Sequence, residues 1–92
     1  MNLTKEQLET VEQMAYRLFT PDMIALNIGV PEIDFKTALQ SPSTCRTAFY
    51  RGVIRQEMEL REALIKATQN GSNPALVELM KLLKQQRNAL YD

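Results

Sequence analysis

The chain has 92 residues, of which 45% are hydrophobic and 24% charged, and its net charge is zero. This length predicts one domain, the composition is that of a folded globular protein, and the neutral charge argues against a strongly basic, indiscriminate DNA-binding protein. One cysteine and no histidine exclude an internal disulfide, histidine-based catalysis and a zinc cage. We expect self-association to supplement the small core that this chain can bury.

The amino-terminal segment lacks the features of a secretory signal. Acidic residues interrupt the first twenty positions, and no stretch approaches the ~20 apolar residues that a membrane span needs. We therefore expect a cytoplasmic protein without a membrane partner.

Capping and turn residues divide the first forty residues into three short helices. Thr4 and Gln7 have the spacing of a capping box, which starts a helix. Pro21 suits the first turn of a second helix, Gly29 ends that helix, and Pro31 begins a third. The predicted helices cover residues 5–18, 21–28 and 31–39.

Two longer helices are predicted in the second half, over residues 42–69 and 74–90. Ser41 is the expected N-cap of the first and Asn73 that of the second, each followed by a proline. The short break at Gly71 predicts an antiparallel helical hairpin. Because no segment alternates with period two, the predicted fold is all-α, with a region 1–41 and a hairpin 42–92 in one compact domain.

The helix over 42–69 carries apolar residues on two stripes. A helix of this kind has to bury more than one face, so we expect it and the leucine-rich last helix to form contacts between subunits. The first stripe consists of Cys45, Phe49, Val53, Leu60, Leu64 and Ala67, and the second of Tyr50, Ile54, Met58 and Ile65.

A small residue and a glycine are spaced for two closely crossing helices. Ala25 lies four residues before Gly29, where its small side chain permits a close crossing and the glycine accepts a positive φ. Apolar contacts around the turn are expected from Ile24, Ile28, Val30, Phe35 and Leu39. Residues 21–39 thus predict a helix-turn-helix, whose function is typically to bind double-stranded DNA.

The second helix of such a motif enters the major groove, and its candidate contacts here are Ile33, Lys36, Thr37 and Gln40. Lys36 can reach guanine or phosphate, Gln40 can pair with adenine, and Ile33 can touch a thymine methyl group. The carboxylates of Glu32 and Asp34 lie at the start of this helix and interact favourably with its dipole. They also repel phosphate, so we expect weak DNA binding by each subunit.

Arg46, Arg51 and Arg55 are the candidate phosphate contacts, because every charged residue between Lys36 and Glu57 is positive. Their alternative role is to pair with acids of the first helix. Cys45 lies on an apolar stripe and is expected in the core. With no catalytic constellation and no phosphate-binding glycine loop, we expect a non-enzymatic protein without cofactor or metal.

The order of these elements resembles the small terminase subunits of tailed phages. The resemblance covers nearly the whole chain and includes the segment AFYRGVIRQEMELREALIKA; its matching residues are Phe49, Gly52, Ala63, Ala67, Asn70, Gly71, Ala75, Leu79, Leu83 and Arg87. It implies recognition of viral DNA for packaging in a bacterial host cell, assembly into a ring through the central helices, and delivery of DNA to a large terminase subunit.

Two other hypotheses remain open from the sequence. A dimeric transcriptional regulator would share the motif but would bind palindromic half-sites one helical turn apart. An all-α protein-interaction module without nucleic-acid binding would pair the three arginines with acids and pack the third helix away from solvent.

Overall fold

The computed structural model describes residues 1–91 and consists there of helices without strands, which confirms the all-α class. The helices are α1 (Lys5–Tyr16), α2 (Pro21–Ile28), α3 (Glu32–Leu39), α4 (Thr44–Gln69) and α5 (Asn73–Leu90). Contacts group the chain into two units, Met1–Gln56 and Glu57–Asp92, and the division falls inside α4. None of the helices in the described part combines the length and the apolar character that crossing a bilayer requires.

The first unit has one hydrophobic core to which four helices contribute. Phe35 of α3, Ile24 of α2 and Val11 of α1 are fully buried and are its largest side chains. The other buried members of this cluster are Ala15, Ala25 and Cys45. Phe35 anchors one side of α3 in this core, so the opposite side of α3 faces solvent.

The start of α1 confirms the predicted capping box. The Thr4 hydroxyl accepts a hydrogen bond from the Gln7 amide at 3.0 Å, and the Gln7 side chain accepts one from the Thr4 amide at 2.9 Å. The Gln7 side-chain amide also donates to the Ile28 carbonyl at 3.0 Å. One glutamine therefore caps α1 and ties it to the end of α2.

The cap of α4 differs from the prediction. The helix begins at Thr44, and Ser43, not Ser41, accepts a hydrogen bond from the Arg46 amide at 3.0 Å. The Ser43 hydroxyl also donates to the Ala38 carbonyl at 2.7 Å. Ser43 has the advantage because one hydroxyl satisfies an orphan carbonyl of α3 and an orphan amide of α4.

The N-cap of α5 differs from the prediction as well, and it lies one residue earlier. Ser72 accepts the hydrogen bond from the Ala75 amide at 3.3 Å, while Asn73 is already the first helical residue and Pro74 the second. Proline is tolerated there because amides in the first turn have no intrahelical partner.

Three helices end in the same left-handed motif, with Leu18, Gly29 and Gly71 at positive φ angles of 67°, 78° and 91°. The next amide returns to the helix each time: Phe19 to Met14, Val30 to Ala25, and Ser72 to Ala67. This pattern is the Schellman motif, and glycine is its usual left-handed residue. Leucine takes that position after α1, which ends at Tyr16 and not at the predicted residue 18.

The second unit buries few of its apolar side chains. Among its described residues only Ala75 is buried. Its exposed large apolar residues are Met58, Leu60, Ile65, Leu76, Val77, Met80, Leu83, Leu90 and Tyr91. Met58 and Ile65 belong to the second stripe of α4, whose other members, Tyr50 and Ile54, are exposed as well. One copy of the chain therefore leaves the second stripe exposed, and the contacts between subunits that we expect of α4 stay a prediction.

Candidate nucleic-acid interface

The outer surface of α3 brings four of the sequence-derived candidates together. Ile33, Lys36, Thr37 and Gln40 line one shallow depression together with Glu32. Ile33 is 75% exposed, although it is a large aliphatic residue. Phe35 holds the opposite side of α3 in the core, so these side chains are presented to solvent.

Lys36, the one cation of this surface, is paired with a carboxylate. The Lys36 ammonium lies 2.7 Å from a carboxylate oxygen of Glu32, one helical turn away, and both side chains are about half exposed. The hydrogen bond with Glu32 and the charges of Glu32 and Asp22 raise the pKa of Lys36 above its ordinary value. Lys36 is therefore protonated but partly neutralised, and it has to exchange Glu32 for any external anion.

Asp22, at the start of α2, interacts electrostatically with Lys36. A hydrogen bond from the Thr20 side chain is the largest cause that lowers the pKa of the Asp22 carboxyl, and hydrogen bonds to backbone groups and the charge of Lys36 add to it. Asp22 thus stays ionised at neutral pH. Together with Glu32 and Asp34 it gives the α2–α3 surface an acidic border.

The two uncharged polar candidates of α3 differ in their hydrogen bonding. The Thr37 hydroxyl donates to the Ile33 carbonyl at 2.8 Å, one turn earlier. Gln40 follows the last helical residue as the C-cap, and its side chain is exposed. Gln40 can therefore offer both its carbonyl and its amide to a partner.

A groove along the first part of α4 contains two of the three arginines. Arg46 and Arg51 line it together with Pro42, Ser43, Thr47, Tyr50 and Ile54. The Arg46 guanidinium lies over the Tyr50 ring, 5.5 Å from its centre. Neither arginine forms an ion pair with any residue from 1 to 91, so both can meet an external anion.

Tyr50 and Ile54 were not among the sequence-derived site residues. Both are about half exposed, and the Tyr50 ring stands edge-on to Phe49 with 5.6 Å between the ring centres. The sequence feature that could have identified them is their position on the second apolar stripe, because an apolar residue on the same helix face as arginines is a candidate contact.

Arg55 has partners inside the first unit. Its guanidinium lies 2.8 Å from a carboxylate oxygen of Glu12 and 4.7 Å from the centre of the Tyr16 ring. The alternative role, pairing with an acid of the first helix, is the one that the structure shows for Arg55. This arginine joins α4 to α1 and is less available than Arg51.

Cys45 is enclosed by the core of the first unit. Its side chain is buried, and burial raises the pKa of the thiol above its ordinary value. A protonated, enclosed thiol is a poor nucleophile, so the position of Cys45 agrees with a packing role.

Comparisons of this chain with protein-family models, with curated proteins and with solved structures found no match.

Proposed function

We propose that this chain is a non-enzymatic, oligomeric protein that binds double-stranded DNA through a helix-turn-helix formed by α2 and α3. The observation that carries the proposal is the arrangement of α3, which buries Phe35 and presents Ile33, Lys36, Thr37 and Gln40 on one exposed surface. A helix that reads the major groove needs one side anchored in the core and the opposite side exposed for contact with base edges.

The turn between α2 and α3 supports this proposal. Gly29 has a φ of 78°, and only Gly29, Val30 and Pro31 separate the two helices. Ala25 is 1% exposed, so this small residue lies in the core of the first unit. These are the features expected where the two helices of the motif cross closely.

In the proposed complex the α3 surface contacts base edges, and Arg46 and Arg51 contact phosphates. Lys36 moves from Glu32 to a guanine or a phosphate, and Gln40 pairs with adenine. Arg51 is the more accessible phosphate contact because it is exposed and forms no ion pair with residues 1–91, while Arg46 lies against Tyr50. Arg55 contributes less, since Glu12 already pairs with it.

The interaction-module hypothesis receives less support. It requires the three arginines to pair with acids and α3 to be covered. Arg55 alone of the three pairs with an acid among residues 1–91, and Ile33 is exposed on α3. Arg46 and Arg51 are therefore available to an anionic partner, and α3 is available for contact.

Self-association is part of the proposal because of the acidic border. Asp22, Glu32 and Asp34 weaken the attraction of each copy for phosphate, and several linked sites bind far more tightly than one. The exposed apolar side chains of α4 and α5, which we propose to form an antiparallel hairpin, offer the surface for assembly. The resemblance to small terminase subunits suggests recognition of viral DNA for packaging and transfer to a large terminase subunit.

The test is fluorescence anisotropy of labelled duplexes at two salt concentrations with wild type, Lys36→Ala and Arg51→Ala. Arg51→Ala should weaken binding to all duplexes and reduce the slope of log K against log salt by about 0.9 for its phosphate. Lys36→Ala should also reduce discrimination between duplexes. Arg61→Ala, which removes an exposed cation of the second unit, is the matched control and should change neither quantity.

Two results decide against parts of the proposal. If no duplex binds at low salt, the interaction-module hypothesis is favoured and DNA binding is lost. If selection from random duplexes returns palindromes with half-sites one helical turn apart, a dimeric regulator replaces the packaging role.

A further inference from the structure

The second unit has too little core for its length. A segment of this size cannot bury enough apolar surface alone, and below ~40 residues a chain usually needs a metal, disulfides or a partner. Its described residues bury only Ala75 and include no cysteine or histidine. The exposed apolar faces of this unit are therefore candidates for contact with a partner.

One such face lies on α5. Leu76, Val77, Met80 and Leu83 recur at helical spacing, line one groove and are all exposed. The same groove is bordered by Lys81, Lys84 and Arg87. Lys81 lies 3.3 Å from Glu78, whereas Lys84 and Arg87 form no ion pair within the part of the chain that the structure describes. The α5 face is apolar with a basic border.

A second face lies on the part of α4 that belongs to this unit. Met58, 67% exposed, and Ala63 form its apolar part, and Glu59 and Glu62 border it. Lys66 is its one cation and lies 4.0 Å from Glu62, at the limit of an ion pair. The α4 face is therefore apolar with an acidic border, and its charge is opposite to that of the α5 face.

We propose that the α5 face of one copy binds the α4 face of a second copy, with Lys84 and Arg87 against Glu59 and Glu62. This inference rests on the self-association in the proposed function and specifies its contact. Pairing α5 with α5, or α4 with α4, would set like charges against each other, which is costly in an interface. An acidic partner or an anionic lipid surface would cover only α5, whereas a second copy covers both faces.

The test is a pair of charge reversals in the full chain, with the mass in solution measured by light scattering. One variant carries Lys84→Glu and Arg87→Glu, and the other carries Glu59→Lys and Glu62→Lys. The wild type should be a dimer or larger, and each variant alone should be a monomer. An equimolar mixture should recover the wild-type state of association, because each variant then meets opposite charges on its neighbour.

A matched control carries Gln85→Glu and Ala89→Glu, which add negative charge to exposed positions of α5 away from the groove. This control should keep the wild-type mass, and circular dichroism should show that the control and the equimolar mixture have the helix content of the wild type. All four reversed side chains are exposed, so the reversals remove no core contact within one copy, and any helix that a monomeric variant loses should return in the mixture.

The outcomes separate this contact from the wider function. If α5 reversal leaves the mass unchanged, or if the mixture stays monomeric, the proposed contact is wrong while an oligomeric DNA-binding protein remains possible. If the wild type is a monomer, both this contact and the oligomeric part of the function are wrong. DNA binding through α3 is measured separately, by fluorescence anisotropy with the Lys36→Ala and Arg51→Ala variants.

Discussion

Gly52 of α4 lies directly against the backbone carbonyl oxygen of Glu12 in α1. A Cβ atom at Gly52 would overlap that oxygen and would lie 2.9 Å from both the Ala15 Cβ and the Tyr16 amide nitrogen. Two of these three neighbours are backbone atoms, so no side-chain rotation can make room. The Gln56 side chain donates to the Tyr16 carbonyl at 2.7 Å one turn later and holds the helices at this distance.

Gly52→Ala should therefore destabilise the protein. Alanine normally stabilises a helix interior by about 1 kcal/mol relative to glycine. Here the overlap should reverse the sign and lower the free energy of unfolding by roughly 1–3 kcal/mol. Urea unfolding followed by circular dichroism measures the difference, and Gln85→Ala, at an exposed position of α5, should change little. A Gly52→Ala variant as stable as the wild type would contradict the close approach.

Leu18→Gly should stabilise the first unit. Leu18 is 68% exposed and holds the left-handed φ of 67° that ends α1. The left-handed conformation costs a residue with a Cβ roughly 1–2 kcal/mol, whereas glycine adopts it freely. Because glycine also loses more chain entropy on folding, we expect a net gain below about 1 kcal/mol in thermal or urea unfolding. Leu18→Ala keeps the strain and is the control; an equal gain from both variants would refute this explanation.

Substitution of Arg55 should affect stability, whereas substitution of Arg51 should affect DNA binding. Arg55→Ala removes the ion pair to Glu12 and the contact with Tyr16, and should lower the free energy of unfolding by about 1 kcal/mol. Arg51→Ala removes no ion pair within the described residues 1–91 and should weaken DNA binding with little change in stability. Urea unfolding and anisotropy on the same two proteins check this, and the reverse assignment would overturn it.

Asp22 should contribute to stability at neutral pH and not in acid. Its pKa in the folded protein is below the ordinary value of 3.8, so the ionised carboxyl stabilises the fold above that value. The contribution is lost as the pH falls through the folded pKa. Asp22→Asn should therefore have a lower melting temperature than the wild type at pH 6, and the difference should disappear at low pH. A constant difference at every pH would exclude ionisation as its source.

Glu32→Gln should strengthen DNA binding, if α3 reads the duplex. The substitution removes the carboxylate that pairs with Lys36 at 2.7 Å and one negative charge that repels phosphate. We expect an affinity gain of roughly a few-fold at low salt, which shrinks as salt screens the charges. Glu6→Gln, on the exposed first turn of α1, is the control in the same anisotropy assay. Unchanged or weaker binding by Glu32→Gln would argue against contacts by Lys36.

The helices themselves were largely readable from the sequence, because their signals are local. The capping box of Thr4 and Gln7 and the turn glycines Gly29 and Gly71 act within a few residues of the helix ends that they determine. The choice among Ser41, Ser43 and their neighbours was not readable. It depends on the path of the chain between α3 and α4, which places the Ala38 carbonyl 2.7 Å from the Ser43 hydroxyl.

The candidate site was likewise predictable from the sequence only in part. Helical spacing alone placed Ile33, Lys36, Thr37 and Gln40 on one face of α3, because residues three and four apart are neighbours on a helix. The sequence also established the all-α class and the chemistry that one cysteine and no histidine exclude. These properties depend only on composition and on periodicity along the chain.

Only the tertiary structure decided which charges and apolar stripes are available. Arg51 and Arg55 are one helical turn apart and equivalent in the sequence, yet Arg55 meets Glu12, 43 residues earlier, and Arg51 meets no acid among residues 1–91. The buried Gly52 and the uncovered second stripe of α4 are likewise properties of packing. Such contacts join residues that are distant along the chain, and local patterns carry no information about which of them meet.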